Sequence, residues 1–121
     1  MALFVNVTPI LPGKTDEWRA FVRELTGPRQ EQFAESRRQA GVRERTFMQS
    51  TSSGDLVIVT LEGDDPMGAF KRMMERDDEF TRWFLDQIQR VHGVDATQPL
   101  PGPPPELVAD SGNEGARSET T

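Results

Sequence analysis

The sequence predicts an α+β fold in which helices cover one face of an antiparallel sheet, and three observations carry that expectation. Two β-prone runs, residues 42–49 and 56–62, flank the turn-forming segment Ser50-Thr51-Ser52-Ser53-Gly54-Asp55. That is a hairpin pattern, because Gly accepts positive φ while Ser and Asp bond back to the turn backbone. An alternating apolar run over residues 2–9, stopped by Pro9 and Pro12-Gly13, predicts a separate first strand,. Apolar residues then recur at helical spacing on both sides of the hairpin, at Trp18, Phe21, Val22 and Leu25 and at Phe80, Trp83, Phe84, Ile88 and Val91,.

Pairing the hairpin so that Ser50 faces Asp55 sorts its side chains into two sets. Met48, Thr46 and Glu44 share a face with Val57, Val59 and Leu61, a mostly apolar face suited to burial under helices. Gln49, Phe47, Arg45 and Arg43 share the other with Leu56, Ile58, Thr60 and Glu62. That second face suits a wet cavity wall or a surface buried against a partner.

The helices follow from local chemistry. Thr15 is placed to cap the first, with Asp16 and Glu17 at its positive end,. Gly27-Pro28 interrupts it, and Pro28 is expected to open a second helix that Gly41 ends,. This second helix is strongly charged, with Phe33 and a few alanines to bury, and its polar side reads as a solvated face. After the hairpin, Asp65 and Pro66 open a helix lined by Met67, Phe70, Met73 and Met74, and Asp77 or Asp78 caps the next, which His92 and Gly93 close,. A short closing strand is the reading for residues 94–97. Five of the nine prolines follow Ala96, so residues 96–109 read as an extended proline-rich arm, with Leu107 and Val108 as a hydrophobic anchor, and residues 110–121 as a disordered acidic tail,.

Residues 1–95 thus form one domain. The order strand, helix, strand, strand, helix with a short last strand is the ferredoxin-like, split βαβ arrangement, with a sheet of about four strands. Phe47, Leu56 and Ile58 on the uncovered face would make an exposed apolar patch, so a homodimer that pairs two sheets across a two-fold axis is expected.

Charge and composition remove several classes of partner. A net charge of −6 without a clustered basic patch argues against nucleic acid or an anionic membrane,. No stretch approaches the ~20 apolar residues of a membrane span, and the N-terminus lacks a signal-peptide pattern, so a cytoplasmic protein is the expectation. The absence of cysteine excludes disulfides, thiolate metal sites and cysteine nucleophiles,. No metal site and no cofactor are expected, since one histidine without a His/Glu spacing holds no metal and Gly63-Asp64-Asp65-Pro66 puts acid where a phosphate would sit,.

The layout, together with Gly54-Asp55-Leu56-Val57-Ile58-Val59 and the segment Arg82-Trp83-Phe84-Leu85-Asp86-Gln87 leading to His92-Gly93-Val94-Asp95, resembles the small bacterial proteins of the dimeric α+β barrel superfamily, relatives of antibiotic-biosynthesis-type monooxygenases. The resemblance implies a dimeric barrel and includes cofactor-free monooxygenases, isomerases, haem-handling proteins and members without a known reaction. It carries over no catalytic set. Twelve arginines against two lysines also fit a GC-rich bacterial genome.

His92 is the one histidine, hence the one side chain whose ordinary pKa permits proton traffic near neutrality,. Beside Glu44 or Glu62 it would act as a general base on an acidic C–H or phenol. The bland alternative is a helix-terminal histidine that caps carbonyls. Arg45, with Arg43, suits a carboxylate or phenolate ligand, but ordinary cross-strand pairs with Glu62 and Glu44 are the favoured reading of both arginines. Trp83, with Trp18, Phe80 and Phe84, suits an apolar pocket or simply a core. Arg45, Phe47, Glu62 and Trp83 are therefore the ligand-binding candidates and His92 the catalytic one. The expected function is binding of a small apolar or aromatic molecule, with cofactor-independent oxygenation or isomerisation as the chemistry. The alternative is a non-catalytic dimeric module whose core is filled solidly.

Overall fold

The computed structural model describes residues 2–99 and 102–112. The chain runs β1 (Ala2–Pro9), α1 (Thr15–Thr26), α2 (Gln30–Ala40), β2 (Val42–Thr51), β3 (Gly54–Gly63), α3 (Pro66–Met74) and α4 (Glu79–His92). The strands form one antiparallel sheet in the order β1-β3-β2, so β3 lies between its hairpin partner and the N-terminal strand. Ser50 pairs with Asp55, Thr46 with Val59 and Glu44 with Leu61, the register that the turn chemistry predicts. β1 continues the same rows, with Phe4 opposite Leu61 and Val7 opposite Ile58.

The α+β class and the antiparallel sheet are as expected, but the sheet has three strands. Among the described residues the expected strand at 94–97 is absent. The carboxylate of Asp95 accepts from both the backbone N–H and the hydroxyl of Thr97, at 3.0 and 2.6 Å, and the N–H of Gln98 donates to the Asp95 carbonyl at 3.1 Å. Those bonds commit the segment to a turn, the local competition that Asp and Thr offer to a sheet ladder. Of the expected arm and tail, residues 102–112 have no regular structure, and residues 113–121 lie outside the described residues.

Helix ends account for two further differences. Thr15 is the first helical residue rather than a cap; its hydroxyl donates to Asp55 at 2.6 Å, which ties the start of α1 to the hairpin turn. Pro28 lies in the junction, and α2 starts at Gln30, whose N–H donates to the Gly27 carbonyl at 3.1 Å. Arg29 sets this corner with a two-pronged ion pair to Glu79 at 2.9 and 3.1 Å, while its guanidinium lies 4.3 Å over the Trp83 ring. Asp65 and Asp78 cap α3 and α4 by accepting from the N–H groups of Gly68 and Thr81. Gly41 and Gly93 end α2 and α4 at φ 79° and 69°, left-handed geometry that suits glycine,.

All four helices cover the sheet face that carries Phe4, Val57 and Leu61. Phe84 packs edge-on against Phe21 at 5.5 Å and tilted against Phe80 at 6.1 Å, joining α1 to α4. Burying each such ring is worth roughly 1.5–3 kcal/mol, so the helical layer is held by this cluster more than by surface ion pairs. Among the described residues the opposite face of the sheet has no cover: Leu3, Val7 and Phe47 are 44%, 42% and 53% exposed.

Candidate functional site

Between the sheet and the helices lies a cavity of about 260 Å³. Its wall is mostly apolar, with Trp18, Phe21, Phe84 and Ile88 from the helices and Val57 and Val59 from the sheet. Into this wall are set Asn6 and Thr8 of β1, Glu44 and Thr46 of β2, Arg37 of α2, and His92.

His92 is held by the end of β1 rather than by its own helix. Its Nδ1–H donates to the Pro9 carbonyl at 2.8 Å, and two residues on, the Leu11 N–H donates to the Val91 carbonyl at 2.8 Å. A carbonyl only accepts, so Nδ1 carries the proton and Nε2 keeps the lone pair in the neutral ring. Burial holds the imidazole below the ordinary histidine pKa, with the Pro9 bond opposing that in part, so the ring is neutral at pH 7,. Helix capping falls instead to Gly93, whose N–H donates to the Gln89 carbonyl at 2.8 Å.

Arg37 and Glu44 form the other polar feature. The guanidinium Nε donates to Glu44 at 2.7 Å and Nη1 to the Ser36 hydroxyl at 2.8 Å, with both side chains of the ion pair buried. The Phe84 and Phe33 rings hold the guanidinium at 4.8 and 5.1 Å. The solvated reading of α2 is corrected here: Ser36 and Arg37 are buried, because Phe33, Ser36, Arg37 and Ala40 follow the i, i+3, i+4, i+7 spacing of one inward stripe,. That spacing was the available sign of Arg37; a charged residue on the stripe hid it.

The remaining sequence candidates separate. His92 and Glu44 border the same cavity, at different levels of the sheet, and Glu44 is committed to Arg37. Glu62, Arg45 and Phe47 lie on the uncovered face, where Arg45 pairs with Glu62 at 3.7 Å. Trp83 packs between Phe21, Phe80 and Arg29, outside the cavity wall. Asn6, Thr8 and Thr46 went unnoticed as lining residues because single polar residues in a strand carry no sequence mark of what they face.

No family model matches this chain, and no curated protein or solved structure matches it. Among the described residues there is no cluster of potential metal ligands and no helix long and apolar enough to cross a membrane.

Proposed function

We propose that this chain is a homodimeric, ferredoxin-like α+β barrel protein of the antibiotic-biosynthesis-monooxygenase kind, which binds a small, largely apolar organic molecule between sheet and helices. In this reading His92 Nε2 takes a proton from an acidic C–H or phenol of the bound molecule. Proton removal opens both cofactor-independent oxygenation and isomerisation, and it needs a base that is neutral at working pH and fixed in orientation. The observation that carries the reading is the apolar cavity bordered by a buried, neutral imidazole whose Nδ1 is already spoken for.

The dimer is supported by the row Val7–Ile58–Phe47, which crosses all three strands on the uncovered face. Two copies that lay these rows together would close a barrel and remove the exposed patch. Native mass spectrometry of the purified protein should find a small molecule retained on the chain. Replacing His92 by Gln should abolish turnover of that molecule while binding persists; unchanged turnover would remove the histidine mechanism.

A second reading, a non-catalytic dimeric module, draws on the arm, where Leu107 and Val108 are 44% and 82% exposed and would dock on the other subunit. Truncation at Ala96 tests it. A truncated chain as dimeric and as stable as the full one leaves the arm without an assembly role.

A further inference from the structure

Resting on the ligand-cavity reading above, we propose that the Arg37–Glu44 pair anchors the ligand's polar end, and that the ligand is an uncharged one- or two-ring aromatic compound with a carbonyl acceptor there. A buried ion pair adds little stability over a well-packed apolar pair, so its place in an otherwise oily wall asks for another use. The guanidinium is fixed by hydrogen bonds to Glu44 and Ser36, and its carbon lies over the Phe84 and Phe33 rings at 4.8 and 5.1 Å. Its remaining nitrogen, Nη2, has no hydrogen-bond partner among the described residues. It is also not sealed in: Arg29 Nε is the polar side-chain atom among them that is fully buried without a hydrogen bond. Arg37 borders the cavity, and in this proposal its Nη2 N–H groups are the donors that face the ligand,.

Charge selects the acceptor. Glu44 already balances Arg37. A carboxylate ligand would bring an unmatched charge out of water, whereas a ketone, ester or amide oxygen accepts the same bond without that cost. Volume selects the body. A dry apolar cavity of about 150 Å³ holds one benzene ring, so about 260 Å³ holds roughly one ring with a side chain or two fused rings,.

Sheet register sets the two ends apart. His92 is bonded to Pro9, which is level with Leu56, while Glu44 is level with Leu61. Five residues of strand separate these levels, about 17 Å of backbone at roughly 3.4 Å per residue, which side chains reaching inward shorten. The carbonyl therefore sits at Arg37, and the proton-bearing end faces His92.

The test titrates the full chain with three naphthalenes substituted at the same ring position: acetylnaphthalene, its isopropenyl isostere, and naphthoate. The wild type should bind the ketone at least about tenfold more tightly than the isostere, the discrimination expected of one charge-assisted hydrogen bond. Naphthoate should bind more weakly than the ketone. In the double variant R37M/E44L the ketone's advantage should vanish while the isostere binds as before. Equal affinities for ketone and isostere in the wild type, or naphthoate as the tightest of the three, would overturn the anchor and leave the cavity reading standing. Failure of all three to bind would overturn the cavity reading and the anchor with it. The wild-type comparison decides the matter even if the variant does not fold.

Discussion

His92 and Pro9, 83 residues apart in sequence, are joined by a hydrogen bond of 2.8 Å from the imidazole Nδ1–H to the backbone carbonyl. One contact thereby fixes the tautomer of the chain's one histidine and pins the last turn of α4 to the exit of β1. The carbonyl does for this ring what a carboxylate does in other histidine sites, orienting it and leaving Nε2 unprotonated.

The same burial makes the protein sensitive to acid. The folded-state pKa of His92 is depressed, so the unfolded chain takes up the proton first. Stability falls as pH is lowered through the unfolded value of about 6.5, and this group's share of the fall ends below the folded value. Urea midpoints of the wild type should drop between pH 7.5 and 5.5, to about the extent that those of H92Q do not. Equal slopes for the two proteins would place the histidine in water.

Removing one half of the Arg37–Glu44 pair should be far worse than removing both. R37A leaves a buried carboxylate without its partner and should cost about 3–5 kcal/mol, whereas R37M/E44L, filling similar volume with apolar atoms, should stay within about 1 kcal/mol of the wild type,. Denaturant titration of the single and double variants measures the difference, and a mild R37A would mean that the pair is solvated.

The uncovered sheet face predicts the assembly state. Phe47 ends the row on the edge strand β2, beside Ile58, and is 53% exposed in the single chain. Sedimentation of the wild type should give the mass of two chains, and F47D, which puts a charge against its own symmetry mate, should give one. A monomeric wild type at working concentrations would remove the barrel.

Asp78 accepts from the Thr81 N–H at 2.8 Å and from Arg76 at 2.9 Å, closing the first turn of α4. D78A should cost about 1 kcal/mol in urea without altering ligand affinity, since the cap lies at the end of α4 remote from His92.

Hairpin, register and the starts of α3 and α4 were legible because each follows from short-range rules: turn residues, period-two alternation and caps. The row shared by Phe47 and Ile58 was readable for the same reason. The strand expected at 94–97 failed because Asp95 and Thr97 offer a local turn that a weak apolar pair, Val94 and Ala96, does not outweigh. The site was half visible. Histidine chemistry singles out His92 in any sequence, but what it touches depends on Pro9, which nothing local connects to it. Arg37 was hidden because charge argues for solvent, and only the packing of Phe33 and Phe84 around it reverses that. Arg45, Glu62 and Phe47 were correctly placed on the second face, but the cavity lies on the other face, under the helices, so they stand outside it.

Methyl NMR tests most directly whether the space between sheet and helices is a binding site. Met73 and Met74 border the cavity, whereas Met67 is exposed at 39% and stands outside its wall. With labelled methionine methyls, acetylnaphthalene should shift the Met73 and Met74 resonances saturably and leave Met67 in place. Unmoved Met73 and Met74 signals, or shifts confined to Met67, would contradict the account.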